Sequence, residues 1–219
     1  MGNTFTLILI AIGAYLIGNI NPAIIVGRLH GIDIRKEGSG NAGMTNTIRV
    51  IGLGAGIAVF TVDVLKAFLS VWLGIYLAGD AAGGMVAFAA VVVGHCYPAL
   101  YKLKGGKGVA SSLGAALALN WQTALMAAAV AGLMFLISGK RMSIASIGAV
   151  VSYPVFVYFM ADDKRLFFFA IVAVLFLVIQ HASNIQRIAK GEEKALTIAH
   201  GAHEENSEKT AEEKESREE

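Results

Sequence analysis

Long apolar stretches are the feature that most constrains how this chain folds. About 20 apolar residues in a helix cross the hydrocarbon core of a bilayer, and five stretches of roughly this length are present: residues 5–27, 52–78, 85–100, 143–160 and 166–180. The chain is 56% hydrophobic and only 16% charged, against about 25% charged in globular proteins. The first stretch lacks a basic flank and a small-residue cleavage site, so we expect it to stay in the mature protein. We therefore predict an all-α polytopic membrane protein.

Residues 109–138 decide the number of crossings, because this uncharged stretch is long for one helix and short for two. Lys and Arg are enriched in short cytoplasmic loops. With the N-terminus outside, the loops around residues 28–49 and 101–108 are cytoplasmic. Lys140 and Arg141 join them only if 109–138 crosses twice and turns at residues 120–122. The charge rule thus favours seven transmembrane helices, some of them short, with the C-terminus inside; one long tilted crossing, giving six, is the alternative.

The two ends of the chain differ in composition. Residues 1–196 contain the apolar stretches and form the predicted membrane domain, whereas residues 197–219 are rich in Glu and Lys. Such a segment cannot bury enough apolar surface to fold, so we predict a disordered, acidic cytoplasmic tail. The formal net charge of +2 comes from short Lys and Arg patches between apolar runs, which does not indicate nucleic-acid binding. The single cysteine, Cys96, excludes an intrachain disulfide.

Three polar loops interrupt the apolar pattern, and the predicted topology places all of them on the cytoplasmic side. The first has three glycines within six residues, which allows successive N–H groups to point toward an oxyanion. Arg49 can bind a phosphate through its guanidinium fork. An ordinary flexible turn contains the same residue types, and that alternative stays open. The candidate ligands in this loop are Gly38, Ser39, Gly40, Asn41, Thr45, Asn46 and Arg49.

The second loop leads directly into the apolar stretch that starts at residue 109. It contains Lys104, Gly105, Gly106, Lys107 and Gly108. Free N–H groups and the positive end of the following helix, beside two ammonium groups, predict an anion site. The glycine–lysine spacing of a P-loop is absent and no strand precedes the loop, which argues against nucleotide hydrolysis. Membrane anchoring by lysine is the other interpretation, and it explains the charges but not the glycines.

The third loop begins with His181 and Asn184, which share one helix face at a spacing of three. A histidine at a membrane interface is usually a structural residue, but its ordinary pKa near 6.5 also suits a general base. A catalytic pair of Ser39 and His181 lacks an orienting carboxylate and the Gly-x-Ser-x-Gly pattern. The residues of this loop alone therefore favour a structural histidine over a catalytic serine–histidine pair.

Ionisable residues also occur inside an apolar stretch. Asp63 and Lys66 lie three positions apart, and because charges in a membrane helix are costly, we predict a structural ion pair. A role in holding the site is the second interpretation. His95 adjoins Cys96, but no other His or Cys cluster lies within reach in the sequence, so we predict no metal site.

Taken in order, the three loops resemble those of the PlsY family, the bacterial membrane glycerol-3-phosphate acyltransferases that use acyl phosphate. The resemblance runs from residue 15 to residue 194 and rests on segments 36–49, 94–110 and 181–194. It implies seven helices in the bacterial inner membrane, with the active site on the cytoplasmic side. Two departures are present. Asn-Ile-Asn-Pro at residues 19–22 stands where the family has Ser-Ile-Pro, and Met44 stands where it has alanine.

The resemblance implies transfer of a fatty acyl group from acyl phosphate to the 1-hydroxyl of sn-glycerol 3-phosphate, giving lysophosphatidic acid and inorganic phosphate. The expected catalytic residues are Ser39, Arg49, Lys107, His181 and Asn184, and the other loop residues named above would bind substrate. Arg49, Lys104, Lys107 and the two glycine loops would bind phosphate, and Ser39, Asn41 and Asn184 are the candidates for stabilising the tetrahedral oxyanion. Acyl phosphate is already activated, so no cofactor, coenzyme A or acyl-enzyme is expected. The hydroxyl proton can pass to His181 or to a substrate phosphate, whose second pKa is about 6.

Two other classes of protein fit parts of the pattern. A transporter for a phosphorylated solute also uses short helices and helix-end anion sites, but its polar residues recur near the membrane midplane. Here they concentrate at one face. A membrane scaffold explains the apolar spans and leaves the three polar loops without a purpose.

Overall fold

The computed structural model describes residues 3–198, and this part of the chain forms helices and turns without a β-strand. The predicted acidic tail lies outside the described residues except for its first two positions. The ten α-helices of the described chain are α1 Thr4–Gly18, α2 Pro22–Leu29, α3 Met44–Val50, α4 Leu53–Ala78, α5 Ala81–Cys96, α6 Val109–Leu119, α7 Trp121–Ile137, α8 Met142–Met160, α9 Lys164–Gln180 and α10 Ala182–Ala189. A 3₁₀ turn covers Ala99–Tyr101. The predicted all-α membrane fold is confirmed.

Length and apolar composition identify the helical segments that can cross a membrane. Four described segments are long enough: residues 4–29, 53–78, 81–101 and 142–160. The pair α9 and α10, bent by 62°, provides a fifth. The shorter helices α6 and α7 are also apolar.

The first apolar stretch forms one candidate span, residues 4–29, as predicted, but its helix is interrupted at residues 19–21. Asn19 ends α1, and its amide donates to the Tyr15 carbonyl at 2.7 Å. Asn21 starts α2 by accepting from the Ile24 N–H at 3.1 Å, and Pro22 occupies the first helical position. The two asparagines that depart from the family pattern therefore act as caps at this break.

Residues 109–138 form two helices rather than one. Asn120 separates them and accepts from the Thr123 N–H at 3.1 Å, which caps α7. At 1.5 Å per residue, α6 is about 16 Å long and α7 about 26 Å, so α6 is much shorter than the roughly 30 Å hydrocarbon core. This is the division that the two-crossing interpretation requires; the count of seven crossings and their orientation stay predictions.

Long-range contacts sort the connecting segments into two ends of the bundle. Arg141 donates to the Glu193 carbonyl at 2.9 Å, so the turn before α8 lies beside the third polar loop. At the opposite end, Arg165 reaches Asp80 at 3.8 Å, which joins the turns before α5 and α9. These two contacts place the turn before α8 with the third polar loop, and the turn before α9 with the turn before α5.

Small residues let the helices approach closely. A Cβ added at Gly94 of α5 would lie 2.4 Å from the carbonyl oxygen of Tyr15 in α1. A Cβ added at Gly114 of α6 would lie 2.0 Å from the carbonyl oxygen of Val64 in α4. Lipid gives helices no hydrophobic reason to associate, so their stability depends on such packing.

Candidate active site

One cavity of about 320 Å³ collects residues from all three polar loops. All five side chains expected to be catalytic line it, and so do several of the expected substrate ligands. The sequence-predicted residues in its lining are Ser39, Gly40, Asn41, Thr45, Arg49, Lys107, Gly108, His181 and Asn184. Gly38, Asn46, Lys104, Gly105 and Gly106 are not part of it. The structure thus brings together most of the predicted site and assigns the remaining residues other positions.

Asn46 holds the first loop in shape. It is fully buried, its oxygen accepts from the Ser39 N–H at 2.8 Å and from the Ser39 hydroxyl at 3.1 Å, and its amide donates to two loop carbonyls at 3.0 Å. Gly38 has a φ of +56°, and a Cβ there would lie 2.4 Å from the Asn46 oxygen. The loop needs glycine at this position both for its backbone conformation and for space.

In the second loop, the N–H groups of two glycines bind backbone carbonyls of the protein and not a ligand. The Gly105 N–H donates to the Cys96 carbonyl at 3.1 Å, and the Gly106 N–H donates to the His95 carbonyl at 3.2 Å. These amides are therefore not free to bind an anion. The start of α6 is different, because Gly108, Val109 and Ala110 line the cavity and the first N–H groups of a helix have no partner within it.

Lys107 extends from the second loop to the third. Its ammonium group donates to the side-chain oxygen of Asn184. Burial lowers the pKa of Lys107 to about 8, and the neighbouring positive charges of Arg187 and Arg49 act in the same direction while Glu193 opposes them. An anion in the cavity would favour the charged form of this lysine.

Glu193 joins two other side chains of the third loop, Asn184 and Arg187, and the sequence analysis gave it no role. It accepts from Asn184 at 2.9 Å and from Arg187 at 2.7 Å. Burial opposes its ionisation, but the hydrogen bonds from Asn184 and Arg187 and the positive charge of Arg187 outweigh that effect and hold its pKa below the ordinary value. Arg187, Glu193, Lys194 and Ser143 line the cavity. Arg187 and Glu193 lie in segment 181–194, on which the family resemblance partly rests. That resemblance was the signal in the sequence that could have identified them.

His181 lies at the junction of α9 and α10 and is almost completely buried. Its Nδ1 is 2.8 Å from the Leu177 carbonyl. A carbonyl only accepts, so Nδ1 carries the proton and Nε2 of the neutral ring keeps a lone pair. Burial also lowers the pKa of His181 below 6.5, with Lys107 adding to the effect. The neutral ring is the form that a general base requires.

Asp63 and Lys66 form the predicted buried ion pair, with an N–O distance of 2.7 Å. His95 joins them, since its Nδ1 lies 3.1 Å from the same carboxylate oxygen. Lys66 also donates to the Ile20 carbonyl at 2.6 Å and to that of Gly18 at 3.4 Å. These carbonyls are at the break after α1, so the cluster supplies hydrogen bonds to backbone groups at the interruption of the helix. Asp63 and His95 also line the cavity.

Within residues 3–198, no three His, Cys, Asp or Glu side chains are grouped so that they could hold a metal ion. The charged residues that line the cavity are four cationic side chains and two carboxylates: Arg49, Lys107, Arg187 and Lys194, with Asp63 and Glu193. Both carboxylates are already paired with cations of the protein. The charged side chains of the cavity are therefore suited to binding anions.

An apolar groove of about 280 Å³ adjoins the cavity. Four residues line both spaces: Phe60, Val109, Met142 and Ser146. The groove then continues between helices α5 to α9. A charged cavity that opens into an apolar groove suits an amphiphilic ligand.

Comparison with known proteins agrees with this geometry. A family model described as glycerol-3-phosphate acyltransferase matches residues 8–191. The chain belongs to this family. It is therefore an enzyme of the acyltransferase class and a multi-pass membrane protein.

Relatives within the glycerol-3-phosphate acyltransferase family match most of the chain. One from Thermoanaerobacter sp. (strain X514) is 40% identical over 190 residues, which are 86% of this chain and 95% of the relative. One from Clostridioides difficile (strain 630) is 39% identical over 198 residues, which are 88% of this chain and 96% of the relative. Both are called glycerol-3-phosphate acyltransferase.

Two crystal structures are also similar. The first is PlsY, described as an integral membrane glycerol 3-phosphate acyltransferase, in its glycerol 3-phosphate form, with a TM-score of 0.80 and 34% identity. The matched region covers 87% of this chain and 96% of the PlsY chain. The second is the lysophosphatidic acid form, with a TM-score of 0.78, 34% identity, and coverage of 86% and 94%.

Proposed function

We propose that this acyltransferase transfers a fatty acyl group from acyl phosphate to the 1-hydroxyl of glycerol 3-phosphate. The products are lysophosphatidic acid and inorganic phosphate. The observation that carries the proposal is the cationic cavity that continues directly into an apolar groove. The cavity suits the phosphate of each substrate, and the groove suits the acyl chain of the donor. The similar PlsY structures are described as glycerol 3-phosphate and lysophosphatidic acid forms, which supports this acceptor and this product.

In the proposed reaction, the acceptor oxygen attacks the carbonyl carbon of the donor. The bond from that carbon to the bridging phosphate oxygen breaks, and phosphate leaves with the electron pair. Arg49, Lys107 and the start of α6 bind the phosphates. The Ser39 hydroxyl, after rotating away from Asn46, and the Asn41 amide stabilise the tetrahedral oxyanion. Asn184 has a positioning role, since its two amide atoms hold Lys107 and Glu193.

The acceptor proton has two possible destinations, Nε2 of His181 or a substrate phosphate. The hydrogen bond from Nδ1 to Leu177 supports His181, because it fixes the ring with its basic nitrogen free. A His181→Gln variant separates the two. If His181 accepts the proton, the variant loses at least about 100-fold in kcat and the acid limb of the pH profile disappears. If the substrate phosphate accepts it, the acid limb is retained.

Phosphate release by the detergent-purified protein tests the reaction. The protein receives glycerol 3-phosphate with either palmitoyl phosphate or palmitoyl-CoA. We expect acceptor-dependent phosphate release and lysophosphatidic acid from the first donor and no product from the second. Product from the thioester alone would refute the choice of donor. Binding of glycerol 3-phosphate without product from either donor would favour a transporter.

Matched lysine variants connect the activity to the cavity. Lys107→Met removes the cation that lines the cavity, and we expect it to lower kcat/KM by at least tenfold, as loss of a charged hydrogen bond predicts. Lys102→Met removes an exposed cation from the same loop, and its activity should stay at the wild-type level. Equal activity of the two variants would contradict the assignment of the site. Ser39→Ala and Arg49→Ala should also lower turnover without unfolding the protein.

We further propose that the protein lies in the bacterial inner membrane with seven crossings and the active site on the cytoplasmic side. The contact between Arg141 and the Glu193 carbonyl supports this, since it holds the turn before α8 at the active-site end. Cysteines introduced at Gln122 and Lys140 test it, because the native Cys96 is buried. In intact cells, an impermeant thiol reagent should label the position 122 variant only. Labelling of both positions, or of position 140 only, would refute this topology.

A further inference from the structure

The apolar groove has small walls and an aromatic end. Alanine is the commonest residue of its wall, contributed by α6, α7, α8 and α9: Ala116, Ala124, Ala127, Ala128, Ala131, Ala145, Ala149 and Ala173. Its two aromatic residues beyond the junction with the cavity are Phe88 and Tyr153. Alanine walls leave room for a thin flexible chain, whereas bulky rings limit how far such a chain can extend.

The order of the residues along α8 shows which part of the groove is far from the charged cavity. Met142 and Ser146 line both spaces, and Ala149 and Tyr153 follow them on the groove alone. Tyr153 lies eleven positions after Met142, which corresponds to about 16 Å along the helix. On α5, Phe88 lies two turns away from His95, the residue of that helix that lines the cavity. Both rings therefore lie at the far end of the groove.

Neighbouring side chains hold these rings in place. Phe88 is only 3% exposed and packs edge to face against Phe169, with ring centroids 5.1 Å apart. Tyr153 packs against the buried cluster around Phe88 and also against a second buried cluster of Val157, Ala161 and Ala170. Protein interiors resist displacement of packed groups. A chain that reaches these rings cannot push them aside without disrupting both clusters.

We propose that this groove selects the length of the acyl chain, with Phe88 and Tyr153 as its end and Ala149 as the wall residue that keeps it open. The proposal rests on the proposed function, in which the groove receives the donor's chain. A bilayer is as apolar as the groove, so burial as such gives no preference among chains. Selectivity arises because a chain longer than the groove must bend or displace packed rings. Steric misfit of even one methylene is worth about tenfold or more in kcat/KM.

Two opposite variants test the proposal with lauroyl, myristoyl, palmitoyl and stearoyl phosphate as donors. Ala149→Phe shortens the groove by about one helical turn before its end. We expect kcat/KM for palmitoyl and stearoyl phosphate to fall at least tenfold relative to lauroyl phosphate. Tyr153→Ala lengthens the groove and should raise the rate with stearoyl phosphate relative to palmitoyl phosphate. The KM for glycerol 3-phosphate should stay unchanged in both variants, because the cationic cavity is not altered.

Val151→Phe is the matched control, because it adds a large ring to the same helix at a side chain that is 52% exposed. Its chain-length profile should equal that of the wild type. Unchanged profiles in active Ala149→Phe and Tyr153→Ala variants would overturn the proposal, as would the same shift in Val151→Phe. If Ala149→Phe does not fold, Ala149→Val, which adds less volume, gives the same comparison. A wild-type protein that transfers no chain from any acyl phosphate would instead refute the proposed donor.

Discussion

Removing the buried charge of Lys66 should strongly destabilise the protein. In a Lys66→Met variant, the Asp63 carboxylate loses its partner at 2.7 Å, and the carbonyls of Ile20 and Gly18 lose a donor. Removing one member of a buried pair costs about 3–5 kcal/mol, and here the Asp63 charge would stay buried with His95 beside it but without the lysine cation. We therefore expect the free energy of unfolding to decrease by about 4 kcal/mol.

Denaturant titration of the purified protein in mixed micelles, followed by circular dichroism, measures this change. The double variant Asp63→Asn/Lys66→Met removes both charges and leaves neutral groups. It should be less destabilised than Lys66→Met alone, as buried pairs replaced by neutral side chains often are. Lys102→Met, an exposed control, should change stability by less than about 0.5 kcal/mol. A Lys66→Met variant within 1 kcal/mol of the wild type, or additive costs in the double variant, would refute the reasoning.

Three further predictions follow from the structure. The pH profile of kcat/KM should be bell-shaped. Burial lowers the pKa of His181 below 6.5, so activity falls at acid pH as the ring gains its proton. Lys107 has a pKa of about 8, so activity also falls above pH 8 as this lysine loses its charge. A profile that stays flat up to pH 10 would contradict the role of Lys107. Gly114→Leu should lower the melting temperature and the activity together, because its Cβ would lie 2.0 Å from the Val64 carbonyl oxygen; a wild-type melting curve would contradict the close contact of α4 and α6. Glu193→Gln should lower kcat/KM about tenfold, because it weakens the charged hydrogen bond from Arg187. An unchanged kcat/KM would show that this carboxylate does not organise the site.

Much of the fold could be predicted from hydrophobicity, because a membrane helix needs a long apolar run and the chain has several. The break at residues 19–21 was missed, since the stretch carries no charge, although its Asn-x-Asn-Pro pattern is a local cap signal. The start of α5 at Ala81 was also missed, because Ala and Gly before Met85 are weakly apolar. The turn at Asn120 was anticipated from the positions of charges that lie far from it.

The composition of the site could be predicted better than its internal contacts. Glycines and cations identified the three loops, and the cavity contains residues from each. Local sequence could not show that the Gly105 and Gly106 amides bind the end of α5, because those bonds join residues on different elements. Local sequence also could not show that the Asn184 side-chain amide accepts from Lys107 and donates to Glu193. Hydrogen-bond partners of this kind are decided by tertiary structure.

The contacts of Lys66 also affect how the membrane domain is assembled during synthesis. The carbonyls of Gly18 and Ile20 at the end of α1 receive their donor from α4, and the third member of the buried cluster, His95, is at the end of α5. Backbone groups without partners are costly in lipid. The first helix can therefore be inserted early, but these carbonyls receive their donor only after α4 has entered the bilayer beside it, and the buried cluster is complete only after α5 has followed.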